Sequence, residues 1–224
     1  MTPEIIQSLL LYRDAMMLVL NKPSGIPVHS GSGKLSPLDQ SFEHLRFGLP
    51  KPPALAHRLD KDTSGCLVLG RHVEALRRLG ALFANDKIEK TYWAITHNIP
   101  KEQEGEINLP LAPQSKKKHL WWMKIDEENG KPSLTHYRVL AHNNQFSWIE
   151  LTPKTGRTHQ LRVHCAAIGC PIVGDRIYGQ NDGFENLCLH AYSIKIPLYS
   201  KKEAIIVTAP APDHIQSLID RIMV

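Results

Sequence analysis

The sequence lacks the features that mark membrane-spanning, secreted and metal-binding proteins. It contains no apolar run of about 18 residues or more, which argues against a transmembrane helix. Its first residues, MTPEIIQSLL, carry an early Glu4 and no basic stretch, so they do not resemble a signal peptide. The four cysteines form no CxxC pair, and the histidines show no HExxH or zinc-finger spacing. We therefore expect a cytoplasmic protein with reduced, mostly buried thiols and no metal site.

Two common catalytic motifs are also absent. The sequence has no G-x-S-x-G segment, the turn on which many hydrolases carry their nucleophilic serine. The glycine-rich stretch HSGSGK has neither the spacing nor the Lys-Ser/Thr ending of a phosphate-binding P-loop. These absences argue against a serine hydrolase of that type and against nucleotide binding.

The length and the order of the predicted elements favour one α+β domain. The chain has 224 residues, 42% of them hydrophobic, which is enough for a sizeable core. We see no internal repeat and no low-complexity linker. Strand-like runs predominate, and helical spacing occurs near residues 73–83, from about 157 to 169 and from about 213. Because βαβ alternation is missing, we predict a single domain over residues 1–224 with a mixed, largely antiparallel sheet flanked by helices and loops.

Charge favours a polyanionic partner. The net charge is +5, and residues 107–125 contain four lysines, one histidine and no acidic residue. Within KKKHLWW, the lysines Lys116, Lys117 and Lys118 precede two tryptophans, and basic residues beside aromatics suit phosphates and bases. A solvated basic loop with tryptophans in the core is the alternative interpretation.

The stretch HRLDKDTSG, residues 57–65, carries the first candidate for catalysis. It follows several prolines and precedes the apolar run CLVLG, so we predict a loop that leads into a strand. Asp60 lies between Arg58 and Lys61, whose charges favour an ionised carboxylate able to act as a nucleophile. An Asx turn or a helix cap would use the same aspartate. Asp60 and Asp62 together also raise the possibility of a carboxylate-pair glycosidase.

The stretch TGRTHQLRVH carries the second candidate. Two arginines, two histidines and a glutamine are unusual for a plain amphipathic helix. We predict a helix from about Arg157 to Gly169, on which Thr158 and Arg162 share a face. That face is offset from the apolar stripe, so Arg162 is either directed to a cleft at the helix edge or is a surface arginine. Tyr92, in the strand-like EKTYWAI, is by itself typical of a core tyrosine.

Taken together, these segments resemble the RluA-type family of RNA pseudouridine synthases. The matching pieces follow the family's order and span nearly the whole chain: NKPSG (21–25), HRLDKDTSG (57–65), KTYWA (90–94), LTPKTGRTHQLRVH (151–164), PIVGDRIYG (171–179) and LHA (189–191). The resemblance implies that Asp60 is the catalytic aspartate, that Tyr92 packs against the target uracil and that Arg162 pairs with Asp60. It also implies that Arg58 occupies the space left by a flipped nucleotide, and we assign Arg157 to RNA binding together with Lys116, Lys117 and Lys118.

The resemblance implies a reaction as well. Members of this family break the C1′–N1 bond of a uridine, turn the base and rejoin it through C1′–C5, with an aspartate in place of a cofactor. We therefore expect a monomeric, cofactor-independent RNA pseudouridine synthase that binds structured RNA, ribosomal or transfer, in a central cleft. A catalytically inactive RNA-binding or RNA-chaperone protein is the alternative, and the presence of Asp60, Tyr92 and Arg162 argues against it.

Two departures from the family pattern qualify the resemblance. Many relatives carry an N-terminal RNA-binding module of the S4 type, and because the first motif begins at Asn21 we expect none here. Substrate selection is then expected to reside in the catalytic domain. Where relatives often have Gly-His-Pro, this chain has Gly169-Cys170-Pro171, which we expect to be a packing variant.

Overall fold

A computed structural model of the chain describes residues 1–29, 36–115 and 122–224. Its helices are α1 (Pro3–Ser8), α2 (Val73–Ala84), α3 (Gln160–Ala167) and α4 (Asp213–Met223), with a 3₁₀ helix at Leu38–Leu45. Its strands are β1 (Leu10–Arg13), β2 (Met17–Lys22), β3 (Ala54–Leu55), β4 (Ser64–Gly70), β5 (Glu89–His97), β6 (Glu104–Asn108), β7 (Leu111–Pro113), β8 (Met123–Ile125), β9 (Leu134–His142), β10 (Phe146–Pro153), β11 (Leu189–Ile196) and β12 (Ile205–Thr208). Each helix in the described ranges is too short or too polar to cross a lipid bilayer.

The chain divides into two compact units. The first contains Met1–Lys90 and Ala191–Ala211, and the second contains Thr91–His190 and Pro212–Val224. The candidate residues are therefore divided by sequence position: Arg58 and Asp60 belong to the first unit, and Tyr92, Arg157 and Arg162 belong to the second.

The first unit is built on an antiparallel sheet with an apolar centre. β2 pairs with β1 on one side and with β4 on the other, and β3 adds to β4 while β12 adds to β11. All seven residues of β4 are buried, because the run CLVLG has apolar side chains on both faces. Helix α2 packs on β4 through its buried Ala75 and Leu79, and its N-terminus is capped by the side chain of His72.

Gly65 at the start of β4 is required by its surroundings. Its φ angle is 104°, in the region that favours glycine, and a Cβ atom there would lie 2.3 Å from the carbonyl oxygen of Ala191. Any side chain at this position would push β4 away from the neighbouring backbone. Gly65 therefore fixes the point at which the HRLDKDTSG segment enters the sheet.

The second unit contains the antiparallel strand order β5–β10–β9–β6 and the separate pair β7–β8. Tyr92 of β5 lies opposite Leu151 of β10, and Trp93 lies opposite Glu150. Because side chains alternate along a strand, Tyr92 and Trp93 belong to opposite faces of this sheet. Helix α4 contacts β9 and β10, and α3 contacts β8.

The α+β fold with a largely antiparallel sheet is confirmed, but one helix boundary differs from the prediction. The helix expected from about Arg157 begins at Gln160. The residue before it, His159, has a φ angle of 52°, which a right-handed helix cannot contain. Thr158 consequently lies outside the helix, so the prediction that it shares a helical face with Arg162 is wrong.

The four cysteines are buried thiols, as predicted: Cys66, Cys165, Cys170 and Cys188 all lie in described parts of the chain and none forms a disulfide. Burial raises the pKa of the Cys66 and Cys188 thiols to about 12 and raises that of Cys165 further. They are therefore neutral side chains that fill the core at physiological pH.

Candidate active site

Asp60 lies in a turn between β3 and β4, as the sequence predicts for a loop leading into a strand. The amide N–H of Thr63 donates to the carbonyl oxygen of Asp60 at 3.2 Å and closes this turn. Asp60 and Asp62 are half-buried, whereas Arg58 is exposed to solvent. The turn therefore combines carboxylates in a partly dehydrated position with a basic side chain in water.

A buried lysine holds this turn against the NKPSG segment. Lys22 is fully buried, and its Nζ donates to the carbonyl oxygens of Pro23, Ile26 and Lys61 at 2.7, 2.9 and 2.8 Å. These three acceptors match the three N–H groups of an ammonium ion. Burial lowers the pKa of Lys22 to about 7, while the carboxylates of Asp62 and then Asp60 favour its charged form.

Sequence reasoning identified NKPSG as a family segment but gave its lysine no role. The signal was present, because Lys22 ends the apolar strand MLVLNK and is followed by a proline that cannot continue the ladder. A second bond reinforces the attachment, since the hydroxyl of Ser24 donates to the carbonyl oxygen of Asp62 at 2.6 Å.

His57 anchors the other end of the same turn. Its Nε2 accepts the amide N–H of Val68 in β4 at 3.0 Å, and its ring stacks on Phe83 with centroids 4.6 Å apart. Burial, together with the positive charge of Lys90, lowers the pKa of His57 to about 4. The imidazole is therefore neutral at physiological pH and acts as a fixed acceptor for β4.

Arg162 is a buried arginine held by a carboxylate, not a surface arginine. It is 5% exposed, and its Nε and Nη2 donate to Oδ2 and Oδ1 of Asp175 at 2.7 and 2.6 Å. Burial alone would raise the pKa of Asp175, but Arg162 and the amides of Tyr178 and Ile177 bring it below its ordinary value. Asp175 lies within the motif PIVGDRIYG, and the sequence pattern does not reveal it as a partner of Arg162.

A buried histidine contacts a second edge of the same guanidinium. Nη1 of Arg162 lies 3.3 Å from Nε2 of His159, and since arginine only donates, Nε2 accepts. In the neutral ring Nδ1 then carries the proton and donates to the Tyr178 hydroxyl oxygen at 2.8 Å. That oxygen also accepts the amide N–H of Met123 at 2.8 Å.

Gln160 fixes the turn that precedes Arg162. Its Oε1 accepts from the Thr155 hydroxyl at 2.7 Å and from the Arg157 amide at 3.0 Å. Its Nε2 donates to the Leu134 carbonyl and to the Thr135 hydroxyl, both at 3.0 Å. The side-chain amide of Gln160 thus accepts two hydrogen bonds and donates two. These bonds attach the TGR turn to β9. Sequence reasoning noted the glutamine as unusual and assigned it no function.

The structure describes only some of the other residues that were predicted to contact RNA. Arg157 is exposed, and its Nε donates to the Pro132 carbonyl at 3.2 Å, so the guanidinium remains accessible to solvent. Tyr92 is half-buried within β5. The three lysines of the basic segment, Lys116, Lys117 and Lys118, lie outside the described residues. Within the described ranges, no three His, Cys, Asp or Glu side chains are close enough to share a metal ion.

Comparisons with known proteins show what the chain is similar to. Residues 16–167 match the family profile described as RNA pseudouridylate synthase. A Zymomonas mobilis protein named as an uncharacterized RNA pseudouridine synthase is 42% identical over 212 residues, covering 93% of this chain and 94% of that protein. The ribosomal large subunit pseudouridine synthase C of a Buchnera aphidicola strain is 38% identical over 217 residues, covering 92% of this chain and 68% of that protein.

A solved structure shows the same similarity in three dimensions. Human RNA pseudouridylate synthase domain containing 4 has a TM-score of 0.82 and 27% sequence identity, covering 99% of this chain and 95% of that chain. The chain belongs to the RNA pseudouridine synthase family, as its resemblance to the RluA-type members predicts. It is accordingly an isomerase that acts on RNA.

Proposed function

We propose that this enzyme converts specific uridines of structured RNA, ribosomal or transfer, to pseudouridine, with Asp60 as the catalytic aspartate. The observation that carries the proposal is the attachment of the Asp60 turn. Lys22 binds the carbonyl of the next residue, Lys61, at 2.8 Å, and Ser24 binds the carbonyl of Asp62 at 2.6 Å. These bonds fix the backbone that carries Asp60, and nucleophilic catalysis requires a carboxylate on a well-positioned support.

Arg162 is the proposed partner of this carboxylate. Asp175 and His159 already orient its guanidinium, because they accept hydrogen bonds from Nε, Nη2 and Nη1. A guanidinium cation beside Asp60 would keep the aspartate ionised and able to react. We further propose that residues 1–224 form a single catalytic domain, which we expect to act as a monomer.

The reaction is balanced without any oxidant or reductant. The bond between C1′ and N1 breaks, a bond between C1′ and C5 forms, N1 gains a proton and C5 loses one. Asp60 serves either as the nucleophile or as the stabiliser of the sugar cation, and Tyr92 packs against the uracil ring while the base turns. All of these steps are isomerisation chemistry, so we expect no cofactor.

The target uridine must leave its stack before it can react. Flipping a nucleotide costs a few kcal/mol in lost stacking and pairing. Arg58 is exposed and lies two residues before Asp60, so its side chain is suited to fill the space that the flipped nucleotide leaves. Several relatives are named for ribosomal large subunit RNA, and this favours ribosomal RNA over transfer RNA as the substrate.

The test is Asp60→Asn, which keeps the shape of the side chain and removes its charge. We expect it to abolish pseudouridine formation while leaving the circular dichroism spectrum and the RNA affinity close to wild type. Asp62→Asn is the matched control from the same turn and should retain turnover. The substrate is first identified by sequencing pseudouridines that disappear from cellular RNA when the gene is deleted.

Two outcomes would contradict the proposal. Substantial turnover by Asp60→Asn would remove this residue as the catalytic aspartate. RNA binding by the wild-type protein without turnover on any cellular RNA would favour the inactive RNA-binding alternative.

A further inference from the structure

Asp175 is a buried carboxylate to which the proposed reaction assigns no step. It is 1% exposed and carries two of the three hydrogen bonds described above for the guanidinium of Arg162. Burying such a pair is costly, and removing one partner leaves a charge without compensation. Arg162 is one half of this ion pair and is also a proposed catalytic residue. The effect of Asp175 on Arg162 therefore bears on the reaction.

The backbone holds Asp175 in place. Its Oδ1 accepts the amide N–H groups of Ile177 at 2.9 Å and Tyr178 at 3.1 Å, and its own amide donates to the Ile172 carbonyl at 3.1 Å. Because these partners are main-chain groups of one turn, the carboxylate has little freedom to move. The position of Asp175 in turn fixes the Nε and Nη2 edge of Arg162.

His159 contacts another edge of the guanidinium, which leaves the plane of Arg162 defined on two sides. His159 is 4% exposed, and its ring meets the ring of Tyr178 edge to face with centroids 5.5 Å apart. The Cζ atom of Arg162 lies 5.2 Å from the centre of the same tyrosine ring. Packing and hydrogen bonds together fix the guanidinium before any substrate arrives.

The charge of Asp175 matters as much as its position. A lone arginine beside a carboxylate stabilises the ionised form strongly and, by the same interaction, makes the oxygen a weaker base. A second carboxylate on that arginine shares its positive charge. An aspartate paired with such a shared arginine stays ionised near neutral pH and keeps more of its basicity.

We propose that Asp175 is a positioning residue that fixes Arg162 and shares its charge, so that Asp60 remains both ionised and reactive. This inference rests on the proposed pairing of Arg162 with Asp60. It assigns to the aspartate of PIVGDRIYG a role in the rate of the chemical step. Binding of RNA is not expected to depend on it.

The experiment compares Asp175→Asn and Asp175→Glu in the full chain, using the single-turnover rate constant at saturating enzyme across pH. Asp175→Asn keeps an oxygen acceptor and removes the charge. We expect its rate constant to fall about 10- to 100-fold, the Kd for RNA to stay near wild type, and the acidic limb of the pH profile to move to lower pH. Asp175→Glu keeps the charge and displaces it by one methylene, so its rate should fall while the acidic limb stays in place.

Asp14→Asn is the matched control. Asp14 also accepts two backbone amides, from Met16 and Met17 at 2.8 Å each, and the hydroxyls of Tyr12 and Tyr199 donate to it at 3.0 and 2.7 Å. None of these groups belongs to the Arg162 network. This variant should lose thermal stability and keep the wild-type rate constant and pH limb.

Each result decides the inference. If Asp175→Asn folds and keeps the wild-type rate constant and acidic limb, the positioning role is wrong. If Asp175→Asn does not fold, Asp175→Glu decides, and an unchanged rate constant in that variant overturns the proposal. The proposed function fails separately, through turnover by Asp60→Asn, so the two failures are distinguishable.

Discussion

The ammonium of Lys22 donates a 2.8 Å hydrogen bond to the carbonyl oxygen of Lys61, the residue that follows Asp60. Lys22→Met fills the same space and removes all three donors, which leaves three carbonyl oxygens in a buried place without partners. We expect the free energy of unfolding to fall by about 2–4 kcal/mol, measured by urea denaturation. Lys195→Met, which removes only an exposed ion pair with Glu89, should change it by less than about 1 kcal/mol. Equal stability of the two variants would contradict a tethering role for Lys22.

The buried, neutral His57 should make the stability of the fold sensitive to acid. Its pKa is about 4 in the folded chain, and an unfolded histidine titrates near its ordinary value of 6.5. Between these values the unfolded chain binds a proton that the folded chain does not, so lowering the pH from about 6.5 to 4 favours unfolding. His57→Gln, which offers Val68 an amide oxygen, should show a flatter dependence of unfolding free energy on pH in this window.

The histidine control is His142→Gln, at an exposed position in β9. It should reproduce the wild-type pH dependence, because it removes a histidine without affecting the bond between His57 and Val68. A His57→Gln profile as steep as wild type would show that other groups account for the acid sensitivity.

We predict that Arg157 contacts the RNA backbone. Its guanidinium is exposed to solvent, and its backbone amide donates to Oε1 of Gln160 at 3.0 Å. The charge is therefore accessible while the backbone that carries it is fixed. Arg157→Ala should raise the Kd for RNA and reduce the slope of log Kd against log salt by about 1. Arg138→Ala is the control, since Arg138 pairs with Glu150 at 2.9 Å on the sheet face opposite to Tyr92. An Arg157→Ala variant with unchanged affinity and slope would remove this residue from the interface.

The basic segment makes a separate prediction from sequence alone. Replacing Lys116, Lys117 and Lys118 together by glutamine should weaken RNA binding and flatten its salt dependence, measured by filter binding at several salt concentrations. Fold and thermal stability should remain at wild-type values. A salt slope equal to wild type would show that these lysines are only a solvated surface.

Sequence reasoning succeeded where local pattern determines structure. The helix near residues 73–83 and the strands around Tyr92 and Leu151 follow from apolar spacing, and the observed elements α2, β5 and β10 agree. It misplaced the start of α3, because nothing in the periodicity of TGRTHQLRVH reveals the left-handed φ of His159. In the folded chain the ring of this histidine contacts Arg162 and Tyr178.

The candidate site was predictable only in its chemical outline. The resemblance to the family named Asp60, Tyr92 and Arg162 together, whereas the surrounding residues alone left Asp60 and Arg162 with alternative roles and made Tyr92 typical of a core tyrosine. The supporting groups Lys22 and Asp175 were not identified, since their roles depend on which carbonyl or guanidinium the folded chain brings within 3 Å. Residues that support a site do so through hydrogen bonds to groups far away in the sequence. A single sequence does not show which of these groups come together in the fold.

The four buried thiols make this chain a suitable host for site-directed labelling. With raised pKa values and no exposed sulfur, the native cysteines are poor nucleophiles toward maleimides at neutral pH. A cysteine introduced at exposed Arg58 would then be the preferred site for a fluorophore or a photo-crosslinker. Such a probe would test whether RNA reaches the Asp60 turn, without first removing any native cysteine.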